Sequence, residues 1–137
     1  KMAKQLRTVL LIDDSENDNF LHRLTLEKSG LFEKIIDFED AREALQMLQD
    51  QDENRIDLIF LDINMPVMDG FGFMEEYEKL PKEKRAGCVI VFLTSSDYGP
   101  DRERASQFES VSGYQTKPLV QPSLEQVLEK HFPNSRV

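Results

Sequence analysis

The sequence is poor in the residues that are typical of proteins stabilised by disulfides or by structural metal ions. Its 137 residues include a single cysteine, no tryptophan and only six glycines and six prolines. The lone Cys88 excludes an internal disulfide framework and a cysteine-rich zinc site. It lies in the apolar run 88–93, where we expect a buried small hydrophobe rather than a reactive thiol.

Long hydrophobic runs are also missing. Every apolar run falls far short of the roughly 20 residues that a membrane span needs, and the N-terminus shows no hydrophobic segment of a secretory signal. We therefore expect a cytoplasmic protein that does not bind membranes. We also expect residues 1–6 to be an N-terminal extension or tag.

Positive charge is scarce. There are 17 basic and 26 acidic residues, which gives a net charge of −9. Such a surface repels phosphate backbones, so direct binding of nucleic acid is not expected. The acidity is uneven: residues 1–70 carry 8 basic and 16 acidic side chains, whereas residues 71–137 carry 9 and 10. The carboxylates are therefore concentrated in the first half of the sequence, where we expect a site that uses them.

Five short apolar runs predict five strands. They lie at residues 8–12, 34–38, 57–61, 88–93 and 113–115, and the last is assigned from its position more than from its composition. Three of them are continuous rather than alternating, which is typical of strands that are buried on both faces of a parallel sheet.

Helical signals separate the strands. Phe20, Leu21, Leu24 and Leu31 lie near helical spacing, and Gly30 is a plausible helix end. Capping-box patterns at 40–43 and 123–126 predict two further helix starts, and residues 70–80 and 100–108 are also predicted as helices. The alternation of strands and helices predicts an α/β fold, a doubly wound five-stranded parallel sheet with five helices.

Polar side chains follow the predicted strands where functional groups of such a fold gather. They are Asp13 and Asp14 after the first strand, Asp62 after the third, Thr94 and Ser95 at the fourth, and Lys117 after the fifth. Three carboxylates this close need a cation or a shared proton. Oxygen ligands suit Mg²⁺, and a lysine and a hydroxyl suit a phosphate. The set predicts phosphoryl transfer to an aspartate, with a site charge of −2 that one Mg²⁺ would neutralise.

Four segments together resemble a known family. They read VLLIDD at 9–14, DINMPVMDG at 62–70, FLTS at 92–95 and YQTKP at 114–118. In this order, they resemble the receiver domain of bacterial two-component response regulators, most closely the single-domain, chemotaxis-regulator-like members. The resemblance covers residues 7–132, leaves 133–137 as a C-terminal tail, and implies the flavodoxin-like receiver fold.

The resemblance implies a role for each site residue. Asp62 would be the phosphoacceptor, and Mg²⁺ or Mn²⁺ would be held by Asp13, Asp14, Asp62 and the backbone carbonyl of Asn64. Thr94, Ser95 and Lys117 would contact the phosphoryl group. Thr94 and Tyr114 would form the switch, Asn64 and Ser96 would tune the phosphoryl lifetime, and the peptide bond between Lys117 and Pro118 would be cis.

The implied protein is a signalling domain rather than an enzyme. It would phosphorylate and dephosphorylate only itself, take its phosphoryl group from a histidine kinase or a histidine phosphotransfer protein, and act on a downstream protein target. One alternative is an aspartate-nucleophile phosphohydrolase, which Asn64 argues against because a second acid is expected there. Another is a receiver cut from a larger regulator. We expect His22 and His131 at the surface or at helix flanks.

Overall fold

A computed structural model describes residues 6–135, which form one parallel sheet covered by helices. The strands are β1 (Leu6–Ile12), β2 (Phe32–Phe38), β3 (Ile56–Leu61), β4 (Val89–Thr94) and β5 (Val111–Thr116). The helices are α1 (Glu16–Ser29), α2 (Ala41–Asp50), α3 (Gly70–Tyr77), α4 (Gly99–Ser106) and α5 (Gln121–His131). The strand order is β2-β1-β3-β4-β5, which confirms the doubly wound, five-stranded prediction. Over residues 6–135, no helix combines the length and apolarity of a membrane-spanning segment.

The central strands are buried on both faces, as their continuous apolar runs predicted. Successive strand residues point to opposite faces of a sheet, so each run feeds two cores. One core contains Leu10, Ile12, Ile59 and Leu61 and is covered by α2, α3 and α4. The other contains the intervening residues of the same strands and is covered by α1 and α5.

The sheet changes direction between β1 and β3. The chain steps from β1 to β2 on one side, and β3 then pairs with β1 on the other. A crevice at the carboxyl ends of strands is expected at such a switch point. The backbone N–H of Asp62 donates to the carbonyl of Ile12 at 2.9 Å, which draws the ends of β3 and β1 together at this crevice.

Helix α1 packs on a polar face, contrary to the apolar pattern. The Ser15 hydroxyl caps its start, and Gly30 ends it with φ +68°, as predicted. The buried residues are Asn19, His22 and Leu26, whereas Phe20, Leu21 and Leu24 are 57%, 48% and 40% exposed. Three of the four residues of the predicted apolar stripe therefore face solvent, whereas Leu31, just beyond the helix, lies in the core.

The reason lies at the carboxyl ends of β1 and β2. The Asn19 amide donates to the buried carbonyl of Asp13 at 2.8 Å, and more weakly at 3.4 Å to the carbonyl of Phe38, which also accepts the N–H of Asp13. One helical turn further on, His22 is 3% exposed, so its predicted surface position is wrong. Burial, and then the nearby Lys117 ammonium, lower the pKa of His22 and so favour its neutral imidazole.

The helix start predicted at Asp40 is confirmed, whereas the one predicted at Ser123 is displaced. Asp40 caps α2, but its carboxylate accepts from the N–H of Arg42 at 2.9 Å and pairs with the guanidinium of Arg42. The cap bond thus goes to the second helical residue rather than to Glu43. Helix α5 begins at Gln121, two residues before the predicted cap. Its Ser123 lies inside the first turn, where its hydroxyl accepts from the N–H of Val120 at 3.0 Å.

Helix α4 is short and weakly anchored. It ends at Ser106 rather than at residue 108, and Ala105 is its buried residue. Phe108 follows the helix and stacks on Phe71 of α3 at a centroid distance of 6.2 Å. Ala105 and Phe108 are therefore the anchors of this region, as the sequence predicted.

Cys88 lies just before β4. The residue is partly exposed and packs against the core beneath α3. Burial raises the pKa of its thiol to about 12. This agrees with the expectation that Cys88 is not a reactive thiol, because the thiolate is the reactive form, although the residue is partly rather than fully buried.

The start of α3 requires a glycine. A Cβ on Gly70 would overlap the carbonyl oxygen of Asp62 and lie 2.9 Å from the ring of Phe92. A Cβ on Gly72 would lie 3.4 Å from its nearest neighbours, the side chains of Met68 and Asp69. The close approach at Gly70 thus lets α3 begin directly against the loop that carries Asp62.

We expect Gly70→Ala to lower the free energy of unfolding by about 1–3 kcal/mol, because backbone must shift to admit the methyl group. Gly72→Ala is the matched control and should be neutral or stabilising, since alanine favours the helix by up to about 1 kcal/mol. Urea denaturation of both variants measures the difference. Equal stability of the two variants would contradict this packing.

Candidate functional site

Three acids meet at the switch point of the sheet. Asp13 and Asp62 directly follow β1 and β3 and are 4% and 5% exposed, whereas Asp14 faces solvent. One carboxylate oxygen from each lies within 4.8 Å of the others. The structure thus brings together the three acids that the sequence placed at neighbouring strand ends.

Asp13 is held by the backbone around it. Its N–H donates to the carbonyl of Phe38 at 3.0 Å, and its Oδ1 accepts from the N–H of Ser15 at 2.9 Å. Its Oδ2 lies 2.6 Å from Nζ of Lys117. A buried carboxylate requires such partners, so the position of Asp13 is fixed from both sides.

Lys117 is the cation of the site. Its Nζ lies 2.6 Å from Asp13, 2.8 Å from Asp18 and 3.5 Å from Asp62. Burial alone would lower the pKa of Lys117, but hydrogen bonds to Asp13 and Asp18 outweigh it and raise that pKa, so the ammonium stays charged. The backbone N–H of Lys117 donates to the carbonyl of Thr94 at 2.9 Å, and the peptide bond to Pro118 is cis.

Asp18 is a site residue that the sequence reasoning missed. It lies in the first turn of α1, and its side chain is 35% exposed. Its position in the helix after β1 was the available signal, because that helix starts at the same sheet edge as Asp13. Asp18 brings the charge of the acids and Lys117 to −3 rather than the expected −2.

The surroundings of Asp62 shift the pKa of its carboxyl group in opposite directions. Burial, and then the charge of Asp13, raise the pKa of Asp62. The Lys117 ammonium, a hydrogen bond with the Thr94 side chain and one from the N–H of Ile63 at 2.9 Å oppose that rise. A divalent cation beside these acids would relieve their repulsion. Their oxygen donors fit Mg²⁺ or Mn²⁺, and one of the acids is open to solvent.

The predicted contacts after β4 fall into different environments. Thr94 is fully buried, and Ser95 is exposed. The Oγ1 of Thr94 accepts from the N–H of Ser96 at 3.2 Å, while the hydroxyl of Ser96 donates to Asp101 of α4 at 2.8 Å. Asn64, the other predicted tuning residue, is exposed beside Asp62.

Tyr114 connects β5 to the loop after β4. Its hydroxyl donates to the carbonyl of Ser96 at 2.9 Å, and its ring lies 6.2 Å from that of Phe92. The guanidinium of Arg102 lies 4.3 Å from the centroid of the Tyr114 ring, a cation–π contact that the sequence did not reveal. Tyr114 therefore joins the loop that begins at Thr94 to helix α4.

Comparisons with known proteins agree with this arrangement. The family model described as the response regulator receiver domain matches residues 9–129. The chemotaxis protein CheY of Halobacterium salinarum is 37% identical over 123 residues, which are 90% of this chain and 92% of that protein. Other relatives are much longer, and this chain spans 5% of one and 14% of another.

Solved structures show the same fold. A response regulator receiver protein from Dyadobacter fermentans has a TM-score of 0.82 and 32% identity, with 93% of this chain and 99% of that chain covered. The receiver domain of sensor histidine kinase PA1611 from Pseudomonas aeruginosa, solved with a magnesium ion coordinated in its active-site cleft, has a TM-score of 0.77. It is 24% identical and covers 96% of this chain and 100% of its own, so it bears on the fold alone.

We expect Mg²⁺ to raise the melting temperature, because a ligand that binds only the folded state at 100 times its Kd stabilises it by roughly 2.7 kcal/mol. Asp14→Asn should weaken that response and, in EDTA, leave the protein slightly more stable, since one repelling carboxylate is gone. Asp52→Asn, an exposed acid far along the chain, is the control. A full Mg²⁺ response in Asp14→Asn would remove Asp14 from the metal site.

Proposed function

The chain belongs to the response regulator receiver domain family, and from this membership we propose that it accepts a phosphoryl group from a phosphohistidine onto Asp62, with Mg²⁺ bound. Members of this family are phospho-accepting signalling domains rather than classical enzymes. The observation that carries the proposal is the position of Asp62 between a lysine and two further acids at the switch point of the sheet.

In the proposed reaction a carboxylate oxygen of Asp62 attacks phosphorus. The bond from phosphorus to the histidine nitrogen breaks, the imidazole leaves with the bonding electron pair, and Asp62 becomes an acyl phosphate. When bound by Asp13, Asp14, Asp62 and the carbonyl of Asn64, Mg²⁺ or Mn²⁺ supplies positive charge opposite the phosphoryl oxygens.

The remaining site residues hold the transferred group. The ammonium of Lys117, a point charge 3.5 Å from Asp62, would pair with a phosphoryl oxygen, and the hydroxyls of Thr94 and Ser95 would donate to others. Transfer of a phosphoryl group from nitrogen to oxygen requires mainly alignment and charge neutralisation, which these groups would provide. Asn64 and Ser96, near the acceptor and near Thr94, would influence the access of water.

The phosphohydrolase alternative is less well supported. A second acid two residues after the nucleophile would protonate the leaving group, and this chain has the exposed amide of Asn64 at that position. An amide side chain has no acidic proton to give at neutral pH. The site therefore suits storage of a phosphoryl group better than repeated hydrolysis of phosphate esters.

We further propose that phosphorylation is transmitted through Thr94 and Tyr114 to a downstream protein. Thr94 contacts both Asp62 and Ser96, and Ser96 accepts from the Tyr114 hydroxyl. Movement of Thr94 toward the new phosphoryl group would thus disturb the contacts of Tyr114 with Arg102 on α4. The affected face comprises α4, β5 and α5.

Exposed apolar side chains on α1 and at the start of α5 mark where a histidine kinase or a phosphotransfer protein would dock. Among residues 6–135 the large exposed hydrophobics are Phe20, Leu21, Leu24, Val67, Tyr98 and Val120. All lie on α1 or in the loops after β3, β4 and β5, at or beside the sheet edge that carries Asp62. Four of them belong to α1 and the start of α5, which are in contact with each other. This patch supports a protein as phosphoryl donor.

Incubation with acetyl phosphate and Mg²⁺ should add one phosphoryl group, measured by intact mass, and EDTA should prevent it. Asp62→Asn should abolish the gain, because the nucleophile is lost. Asp69→Asn is the matched control: Asp69 lies in the same segment and caps α3, a role that asparagine fills equally well. Labelling of Asp62→Asn to the wild-type level would refute the acceptor assignment.

Leu21→Glu should slow transfer from a phosphorylated histidine kinase or phosphotransfer protein at least tenfold, since a charge in an apolar contact must be desolvated. Transfer from acetyl phosphate should not change, because that donor needs no docking surface. Tyr98→Ser removes an exposed apolar side chain beside α4 and should leave transfer from the protein donor intact. The docking proposal fails if both donors respond alike to Leu21→Glu.

A further inference from the structure

Lys117 has more carboxylate partners than the proposed reaction requires. Its three N–H donors face Asp13 at 2.6 Å, Asp18 at 2.8 Å and Asp62 at 3.5 Å. All three are negatively charged when ionised, so the ammonium is shared among them before any phosphoryl group arrives. A phosphoryl oxygen that pairs with Lys117 must displace one of these partners.

The three partners differ in how readily they can be displaced. The side chains of Asp13 and Asp62 are 6% exposed, and both accept backbone N–H groups. Their release would leave buried charges without their cation, which is costly. The side chain of Asp18 is 35% exposed, so water can replace the ammonium when the pair separates.

We propose that Asp18 is a positioning residue that holds Lys117 in the unphosphorylated protein and competes with the phosphoryl group for it. The proposal rests on the proposed function of Asp62. Asp18 anchors one of the three lysine donors, adds a fourth negative charge to the site, and so reduces the affinity of the site for phosphoryl donors. It does not contact the reacting atoms in this role.

Loss of the competing carboxylate should strengthen the binding of anionic phosphoryl groups. In Asp18→Asn we expect the Kd for beryllofluoride, measured with Mg²⁺ by ¹⁹F NMR, to fall roughly three- to tenfold, as for a part-exposed charge pair. The donor concentration at half-maximal rate of phosphorylation by acetyl phosphate should fall by a similar factor. The maximal rate should change less than twofold, because Asp13 still holds Lys117.

Three variants separate this role from other effects. Asp18→Glu retains the carboxylate and should restore a Kd near that of the wild type. Glu16→Gln removes the same charge from the same helical turn, at an exposed residue that is not among the carboxylates facing Lys117, and should change the Kd less than twofold. Asp18→Ser repeats the test with a different uncharged side chain should Asp18→Asn not fold.

The outcomes distinguish this proposal from the assignment of Asp62. If wild type takes up no phosphoryl group, the assignment of Asp62 fails. If wild type is phosphorylated but Asp18→Asn and Asp18→Ser bind beryllofluoride no more tightly than wild type, only the role of Asp18 fails. Equal increases in beryllofluoride affinity in Glu16→Gln and Asp18→Asn would show that any lost negative charge has this effect, and so would overturn the proposal.

Discussion

The ammonium of Lys117 among Asp13, Asp18 and Asp62 is the interaction on which the site depends. Two of these carboxylates are nearly inaccessible to water, and like charges so placed are stable only beside a cation. The parallel sheet makes the arrangement feasible, because it delivers the ends of β1, β3 and β5 to one edge. Removing the lysine would leave buried charges uncompensated, which costs more than such a pair gains.

The same constraint determines how α1 is oriented. The buried carbonyl of Asp13 lies beneath this helix and requires a donor, which the Asn19 amide supplies. A helix that presents Asn19 to the sheet must also present Asp18 toward Lys117. Its apolar residues Phe20, Leu21 and Leu24 are then left on the outer side. The polar site and the apolar patch beside it are therefore two consequences of one helix rotation.

This explains which features could be predicted from the sequence. The three central strands and the meeting of Asp13 with Asp62 follow from continuous apolar runs and their polar ends, because a doubly buried strand leaves little choice of burial. The fifth strand, which brings Lys117 to the same edge, is only partly buried and follows from its place in the alternation of strands and helices. The face of α1 could not be predicted, since the amphipathic rule assumes that apolar side chains pack inward. The start of α5 could not be predicted, because Ser123 accepts from the N–H of Val120 inside the first turn, and a capping pattern does not distinguish this from a helix cap. The contact of Arg102 with Tyr114 depends on how α4 lies against β5, which no local pattern encodes.

The helices also differ in how many residues they bury against the sheet. This difference indicates which helix would move most readily in response to phosphorylation. Within residues 6–135, α4 buries one residue, whereas each of the other four α-helices buries at least three. Little apolar area therefore opposes a shift of α4, and segments held this way move most readily. The bonds of Ser96 to Thr94, Asp101 and Tyr114 join this helix to the site. In the signalling route proposed above, α4 is therefore the helix that a displacement of Thr94 would reposition most readily, because Ser96 joins it to Thr94 and it has the least packing to resist.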